Sequence, residues 1–378
     1  MMQAGRFGGR WRAALVPAVL VVVGCASGPD RPAPKPLAPL VPQSVAQAAW
    51  NGRIGEIKFP LSVAVAGATF TAASSDGTVL ALDAETGREL WRTSVGGELS
   101  AGVGSDGRHA SVVTRAGELV TLNAGQVAWR KPVGTRVATA PLVAGERVFV
   151  LAVDRSVQAF DAQDGRKLWI LQRPGDPLTL AQGGVIAPFR DTLVVGQGPR
   201  MAGVDPLNGT LRWEIPIGSP RGANEVERLA DLVGPAARLG NLLCARAFQA
   251  AVGCVDGERG ALAWTRNVGG TDGIAGDRDQ VYGADASDRV TAWRADNGNV
   301  AWTTDALLFR GLSAPAVQGD SVVYGDADGL VHWLSRTNGE AQLRLPTDGK
   351  AIAAAPAATG RMLLVVTRSG GLFAFRAP

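Results

Sequence analysis

The sequence is poor in the side chains that carry chemistry. Its 378 residues include 2 histidines, 3 cysteines and 2 tyrosines, and aromatic residues make up 6% of the chain. His109 and His332 each read as a structural or surface histidine rather than a metal ligand or a general base. No nucleophile elbow and no phosphate-binding glycine loop is present, because the glycines belong to turns. The longest apolar run, "AALVPAVLVVV" at 13–23, is eleven residues, too short to span a bilayer as a mature helix. No basic run or aromatic-basic stripe argues for nucleic acid. Helical periodicity is nearly absent; one helical turn is expected in "ANEVERLADL", 223–232. "GDADG" at 325 has the look of a calcium loop. However, Asp328-Gly329 fills the same hairpin slot as Asp76-Gly77, and Thr337 stands where a calcium loop needs its twelfth-position Glu.

What the chain has instead is glycine, 49 residues of it, and repetition. "ALDAETGRELW" at 81 returns as "AFDAQDGRKLW" at 159, "GVDPLNGTLRW" at 203, "CVDGERGALAW" at 254 and "AWRADNGNVAW" at 292. Each copy is an apolar alternation running into an Asp, a tight turn closing on Gly, and a short strand ending in Trp, which is a β-hairpin signature. A second hairpin signal precedes it, as in "SSDGTVLAL", and a further apolar stretch completes four strands. The terminal residues are Trp50, Trp91, Trp129, Trp169, Trp213, Trp264 and Trp302, with Leu343 in the eighth place. A four-stranded unit recurring every ~40–45 residues predicts propeller blades, because one blade cannot bury both of its faces alone. The last strand signal, "GGLFAFRAP", lacks a turn and Trp, while Trp50 arrives with no blade before it. The prediction is an all-β fold: an eight-bladed β-propeller of four-stranded antiparallel blades over 50–378, closed by the N-terminal strand completing the last blade.

Residues 1–24 read as a leader, with Arg6, Arg10 and Arg12 ahead of the apolar run. The run ends in "VVGCASG", which resembles the lipobox of bacterial lipoproteins and makes Cys25 the expected lipid-attachment residue. Ala26 follows rather than Asp, which by the sorting rule of that class implies the outer membrane, periplasmic face. Without the leader the formal charge falls from +4 to +4 − 3 = +1. Residues 25–49 carry six prolines and are expected to form a semi-extended tether of up to ~70 Å at about 3.1 Å per residue. Cys244 and Cys254 are expected as two separate core thiols. A two-residue turn at Gln249-Ala250 pairs 245 with 254 and sets the cysteines on opposite sheet faces; a one-residue bulge would reverse this.

The "AxDAxTGxxxW" units resemble the quinoprotein repeat family, whose dehydrogenases hold pyrroloquinoline quinone and a metal ion. Those enzymes are much longer and carry an adjacent Cys-Cys pair and acidic ligands that this chain lacks, so neither a cofactor nor a metal is expected. A quinoprotein-type dehydrogenase and a generic ligand-binding propeller remain as alternatives. Function is expected where repeats differ. Two long intervals do so: "RPGDPLTLAQGG" before Trp213 and "SPRGANEVERLADLVGP" before Trp264, in successive blades and expected on one face. Leu178 and Leu180 in the first are either partner contacts or the inward face of a strand. A lipoprotein propeller with these loops resembles the BamB family of outer-membrane protein assembly factors. The resemblance implies a non-enzymatic subunit docking onto POTRA domains of a BamA-like barrel subunit, among the other subunits of that complex. Unfolded outer-membrane clients are a further partner it allows. In that family the docking loops are of "LTLR" and "RLxDxD" type, which implies Leu178, Leu180 and Asp231 as contacts, with Arg228, Glu225 and Asn224 beside them. Ala181 replaces the family Arg and Val233 its second Asp.

Overall fold

The structure, a computed structural model, describes residues 1–5, 8, 32–43, 45–173, 178–219 and 222–378. The chain divides into Met1–Ala33 and Pro34–Pro378, and every element below belongs to the second unit. The expected lipid-attachment residue Cys25 lies outside the described residues.

Among the described residues there are eight four-stranded antiparallel sheets and no helix. The first blade sets the pattern: Ala64–Ala66 innermost, then Thr69–Ala73, Thr78–Asp83 and the outer strand Glu89–Ser94. Six more blades follow in order. The eighth takes Ala357–Thr359, Met362–Val366 and Gly371–Arg376 from the C-terminus and Gln47–Arg53 from the N-terminus. That is the expected closure, with the first strand beginning three residues ahead of Trp50. Because strands alternate in direction, the second-to-third hairpins and the inter-blade links share one face of the disc, here the upper face. The other hairpins share the lower face.

The repeated hairpin explains how blades hold together. The Asp accepts a backbone N–H two or three residues on, as Asp83 does from Thr86 (2.9 Å) and Asp161 from Gln163 (2.9 Å), which shapes the turn. The Gly then adopts a left-handed conformation, φ 71° at Gly87 and 70° at Gly298. Against each such Gly lies the Trp of the preceding blade: Gly87 packs on Trp50, Gly165 on Trp129 and Gly298 on Trp264, and a Cβ there would sit under 3 Å from the indole. The indole Nε1–H reaches over the turn to a carbonyl, from Trp50 to Ala84 (2.9 Å), Trp129 to Ala162 (2.9 Å) and Trp264 to Ala295 (2.8 Å).

Two expectations require correction. Cys244 and Cys254 form a disulfide. The hairpin loop is three residues, Phe248 to Ala250, between paired Ala247 and Ala251, so Cys244 stands opposite Cys254 on the same sheet face. Residues 35–43 do not form a free tether. Lys35 donates its N–H to Leu308 O (2.9 Å) and its ammonium pairs with Asp305 (3.0 Å). Leu37 packs beside Trp302 and Leu307, and Gln43 N–H bonds Gln342 O (2.8 Å) on the outer strand of the seventh blade. Apolar and polar contacts fasten the extended strap to the blades. The strap thus descends from the upper face along that blade before turning up as Gln47–Arg53. At 223–232 the helical turn closes two bonds, Arg228 N–H to Asn224 O (3.2 Å) and Leu229 N–H to Val226 O (3.2 Å), and goes no further.

The strap's upper end rests on a buried network. Arg310 donates to Asp326 (2.8 Å) and Asp328 (2.6 Å), and His332 Nε2 lies 2.9 Å from the same Asp326 carboxylate. Burial pushes His332 below its ordinary value, outweighing the pull of Asp326. Burial alone would raise Asp326, but the hydrogen bonds from His332, Leu330 N–H and Arg310 hold it below the usual carboxylate range.

Gly298→Ala forces both the left-handed backbone and the indole contact, so it should lower stability by about 2–4 kcal/mol in chemical denaturation. Gly319→Ala is the control: its φ is 54° but nothing lies within 4 Å of its Cβ position, so the loss should be about 1 kcal/mol. A histidine kept neutral in the fold but free to protonate in the unfolded chain weakens the fold as pH falls below about 6.5. The denaturation midpoint should therefore decline between pH 7 and 5, and less steeply in His332→Gln.

Candidate docking site

The two long inter-blade links meet on the upper face over the fourth blade. Leu178 and Asp231, 53 positions apart in sequence, line one cleft of about 570 Å³ together with Arg155, Arg173, Arg200, Glu214, Glu225, Arg228 and Leu229. The expectation that both loops share a face thus matches the geometry, and each predicted residue can be placed. Leu178 is exposed at 36% on the cleft wall. Leu180 is half-buried and faces a smaller neighbouring cavity between the third and fourth blades with Leu151 and Leu232. Glu225 and Arg228 are exposed on the rim. Asn224 is exposed and accepts the Glu227 N–H at Oδ1 (2.9 Å), while Glu227 accepts the Ala223 N–H (2.7 Å), so Asn224 shapes its own turn. Ala181 is exposed and Val233 is buried in the inner strand Leu232–Leu239.

Asp231 is the residue whose surroundings sequence could not show. One oxygen accepts from Arg155 Nη2 (3.0 Å) and the other from the Leu180 backbone N–H (3.0 Å), and both charged side chains are 16% exposed. Asp231 therefore clasps the second loop to the first and to the third blade. Reinforcement comes from backbone: Gly234 N–H bonds Gly183 O (2.9 Å), and Gly184 pairs with Val233 as an isolated bridge. Arg155 itself sits at φ 64° in the turn slot that Gly77, Gly117 and Gly329 fill in other blades. A left-handed non-glycine costs on the order of 1–2 kcal/mol; Asp288 has the same φ of 64° in the sixth blade, so the departure is not peculiar to this cleft. Arg173 and Arg200 both reach Glu214, which follows Trp213 where other blades carry Arg92, Arg130 or Thr265. These three were missed because each is unremarkable until the repeats are aligned.

Fold and cleft together define an eight-bladed propeller of the quinoprotein-repeat type with a charged recess built from non-repeat loops. A family model described as "Outer membrane protein assembly factor BamB" matches residues 75–304. The chain is 34% identical to the outer membrane protein assembly factor BamB of Bordetella pertussis over the whole of both chains. It belongs to the BamB family. The crystal structure of BamB from Moraxella catarrhalis superposes with a TM-score of 0.80 at 22% identity, covering 88% of this chain and all of that one. Quinohemoprotein alcohol dehydrogenase from Comamonas testosteroni is further in fold, with a TM-score of 0.66 at 16% identity over 88% of this chain and 76% of that one. The family assignment makes this chain an assembly factor and not an enzyme.

If Asp231 is the clasp, Asp231→Ala should release the Leu180 amide while the blades persist. Losing a hydrogen bond to a charged acceptor, worth about 1.5–3 kcal/mol, predicts ~10- to 100-fold faster exchange at that amide. Amide exchange followed by mass spectrometry on peptides spanning 178–184 would measure it, with peptides from the first blade as the unchanged reference.

Proposed function

We propose that the protein is a lipid-anchored scaffold of the outer-membrane barrel-assembly machinery, docking through its upper face to POTRA domains of the central barrel subunit. The observation that carries this reading is the joining of the two loops that break the repeat into one cleft with an exposed leucine, Leu178, on its wall. Rigid presentation of an apolar anchor beside paired charges is the usual make-up of a docking hot spot. Leu178 is the contact residue in this reading, Leu180 and Asp231 hold the loop in shape, and Glu225, Arg228 and Asn224 form the polar rim.

Lipidation at Cys25 would tie the disc to the periplasmic face of the outer membrane. Fastening of the strap from Lys35 leaves residues 26–34 between it and Cys25. Attachment at two points raises the local concentration of a weak contact. Outer edges of the blades, with exposed Leu90, Leu262 and Val300, are where extended client segments could add as strands.

Affinity capture tests the reading: the purified POTRA region of the same organism's barrel subunit against residues 26–378. Saturable binding is expected, weakened at least ~10-fold by Leu178→Asp, the loss of one hot-spot anchor, with the denaturation midpoint unchanged. No binding by the parent chain at tens of micromolar would overturn it.

A further inference from the structure

Glu214 is asked to neutralise two guanidiniums. Arg173 bonds it through both Nη1 and Nη2, the second at 3.3 Å, and Arg200 Nε lies 3.3 Å from the same Oε2. Burial rises toward the carboxylate: its side chain is 18% exposed, against 30% for Arg173 and 45% for Arg200. One negative charge cannot cancel two positive ones, so the pair of arginines keeps a net +1 at the cleft wall. Among the described residues, the other charges that line the cleft do not remove it. Arg155 is matched by Asp231 inside the clasp, and Glu225 and Arg228 on the rim are of opposite sign.

Position makes the excess directional. Arg200 begins the third strand of its blade, Arg200–Val204, and Glu214 lies on the adjacent outer strand, paired with Ala202, so neither can swing far. Among the described residues the Nη atoms of Arg200 have no acceptor, which leaves its planar fork open to the cleft. Such a fork suits a carboxylate, which it can hold with two parallel bonds. Leu178 and the half-buried Leu229 line the same recess and give the stem of that side chain an apolar wall.

We propose that Arg200, braced by Glu214 and Arg173, is a specificity-determining subsite for an acidic side chain of the docking partner, supplying the positive charge that position 181 lacks. This rests on the docking reading above. It assigns the polar half of recognition to strand residues of the fourth blade, which are fixed by the sheet, instead of to the loop that carries Leu178.

The test is titration of the mature chain, residues 25–378, with the POTRA region at several ionic strengths. Arg200→Glu should weaken binding at least ~10-fold at low salt and flatten the salt dependence, because a charge pair between partners is screened by ions. Arg200→Lys should retain part of the affinity and the salt slope. Glu214→Gln raises the local charge from +1 to +2, so it should tighten binding at low salt and steepen the slope. Should Glu214→Gln weaken binding as Arg200→Glu does, the three residues only support the fold and the proposal fails. If Leu178→Asp abolishes binding while Arg200→Glu matches the parent in affinity and slope, the subsite is wrong and the docking reading stands. A parent chain that does not bind removes both. Phosphatidylglycerol vesicles added as competitor should leave the isotherm unchanged; displacement that depends on Arg200 would assign the cleft to a lipid phosphate and overturn the proposal.

Discussion

The contact between a tryptophan of one blade and a glycine of the next is what the rest of the disc depends on. Seven such pairs run round the ring, from Trp50 on Gly87 to Trp302 on Gly339. Each couples a turn that only glycine adopts without strain to a flat apolar surface that covers it, and at Trp50, Trp129, Trp169, Trp264 and Trp302 the indole N–H also reaches a carbonyl across the turn. A blade by itself cannot make this contact, since the Trp and the turn that receives it belong to different blades. Stability is therefore passed from neighbour to neighbour, and it is complete only when the ring closes. The place of closure shows this most clearly. Leu343 holds the Trp position of the seventh blade, and the blade it faces has no third-to-fourth hairpin, because that blade joins the two ends of the chain. With no turn and no glycine to receive an indole, a leucine packed among Trp333 and Phe375 suffices.

The same logic explains how much could be read from sequence. Features set by local spacing were legible: the eight units, the Asp-capped turns, the donation of the first strand to the last blade. Features set by tertiary register were not. Whether Cys244 faces Cys254 turns on a single residue of loop length, Phe248 to Ala250 against a two-residue turn, and both loops are compatible with the flanking alternation. The strap was misread for a related reason. Proline content predicts an extended chain correctly, but nothing local says that Leu37 finds a pocket beside Trp302. Arg246 was missed altogether. It is fully buried on the second strand of the fifth blade, bonded to Gly269 O (3.1 Å) and Ala284 O (2.8 Å) with no carboxylate partner among the described residues, and burial pushes it down to about 10, still cationic at neutral pH. A strand position occupied by arginine reads as solvent-facing until the neighbouring blade is in place.

At the candidate site, sequence pointed to the two loops but could not show what one of their residues is bonded to. Asp231 reads as a charged contact for a partner, yet both its oxygens point inward, to Arg155 and to the Leu180 amide. An acidic side chain and a backbone donor brought together across 51 positions form a tie that a one-dimensional pattern cannot reveal. The surface that a partner would meet is then divided differently. In the proposed docking, Leu178 would supply the apolar contact from a loop held in place by Asp231, and the uncompensated charge would come from Arg200 on its strand and Arg173 in the link, both held by Glu214.

That division follows from what a propeller can and cannot vary. The Trp–Gly interlock and the capped turns tie up the outer strands and the lower-face hairpins, where a substitution disturbs two blades at once. Upper-face links are free of that constraint, because they join blades without carrying the indole contact. Length can be added there, as between Trp169 and Trp213 and between Trp213 and Trp264, without altering the ring. Two enlarged links on either side of one blade necessarily enclose the upper ends of its strands, Arg200 and Glu214 among them. A recess with a fixed charged wall and a tunable apolar rim is thus what insertion at adjacent links of this ring produces. Because the ring sets the spacing of the links, the separation of the two loops is held by the whole disc.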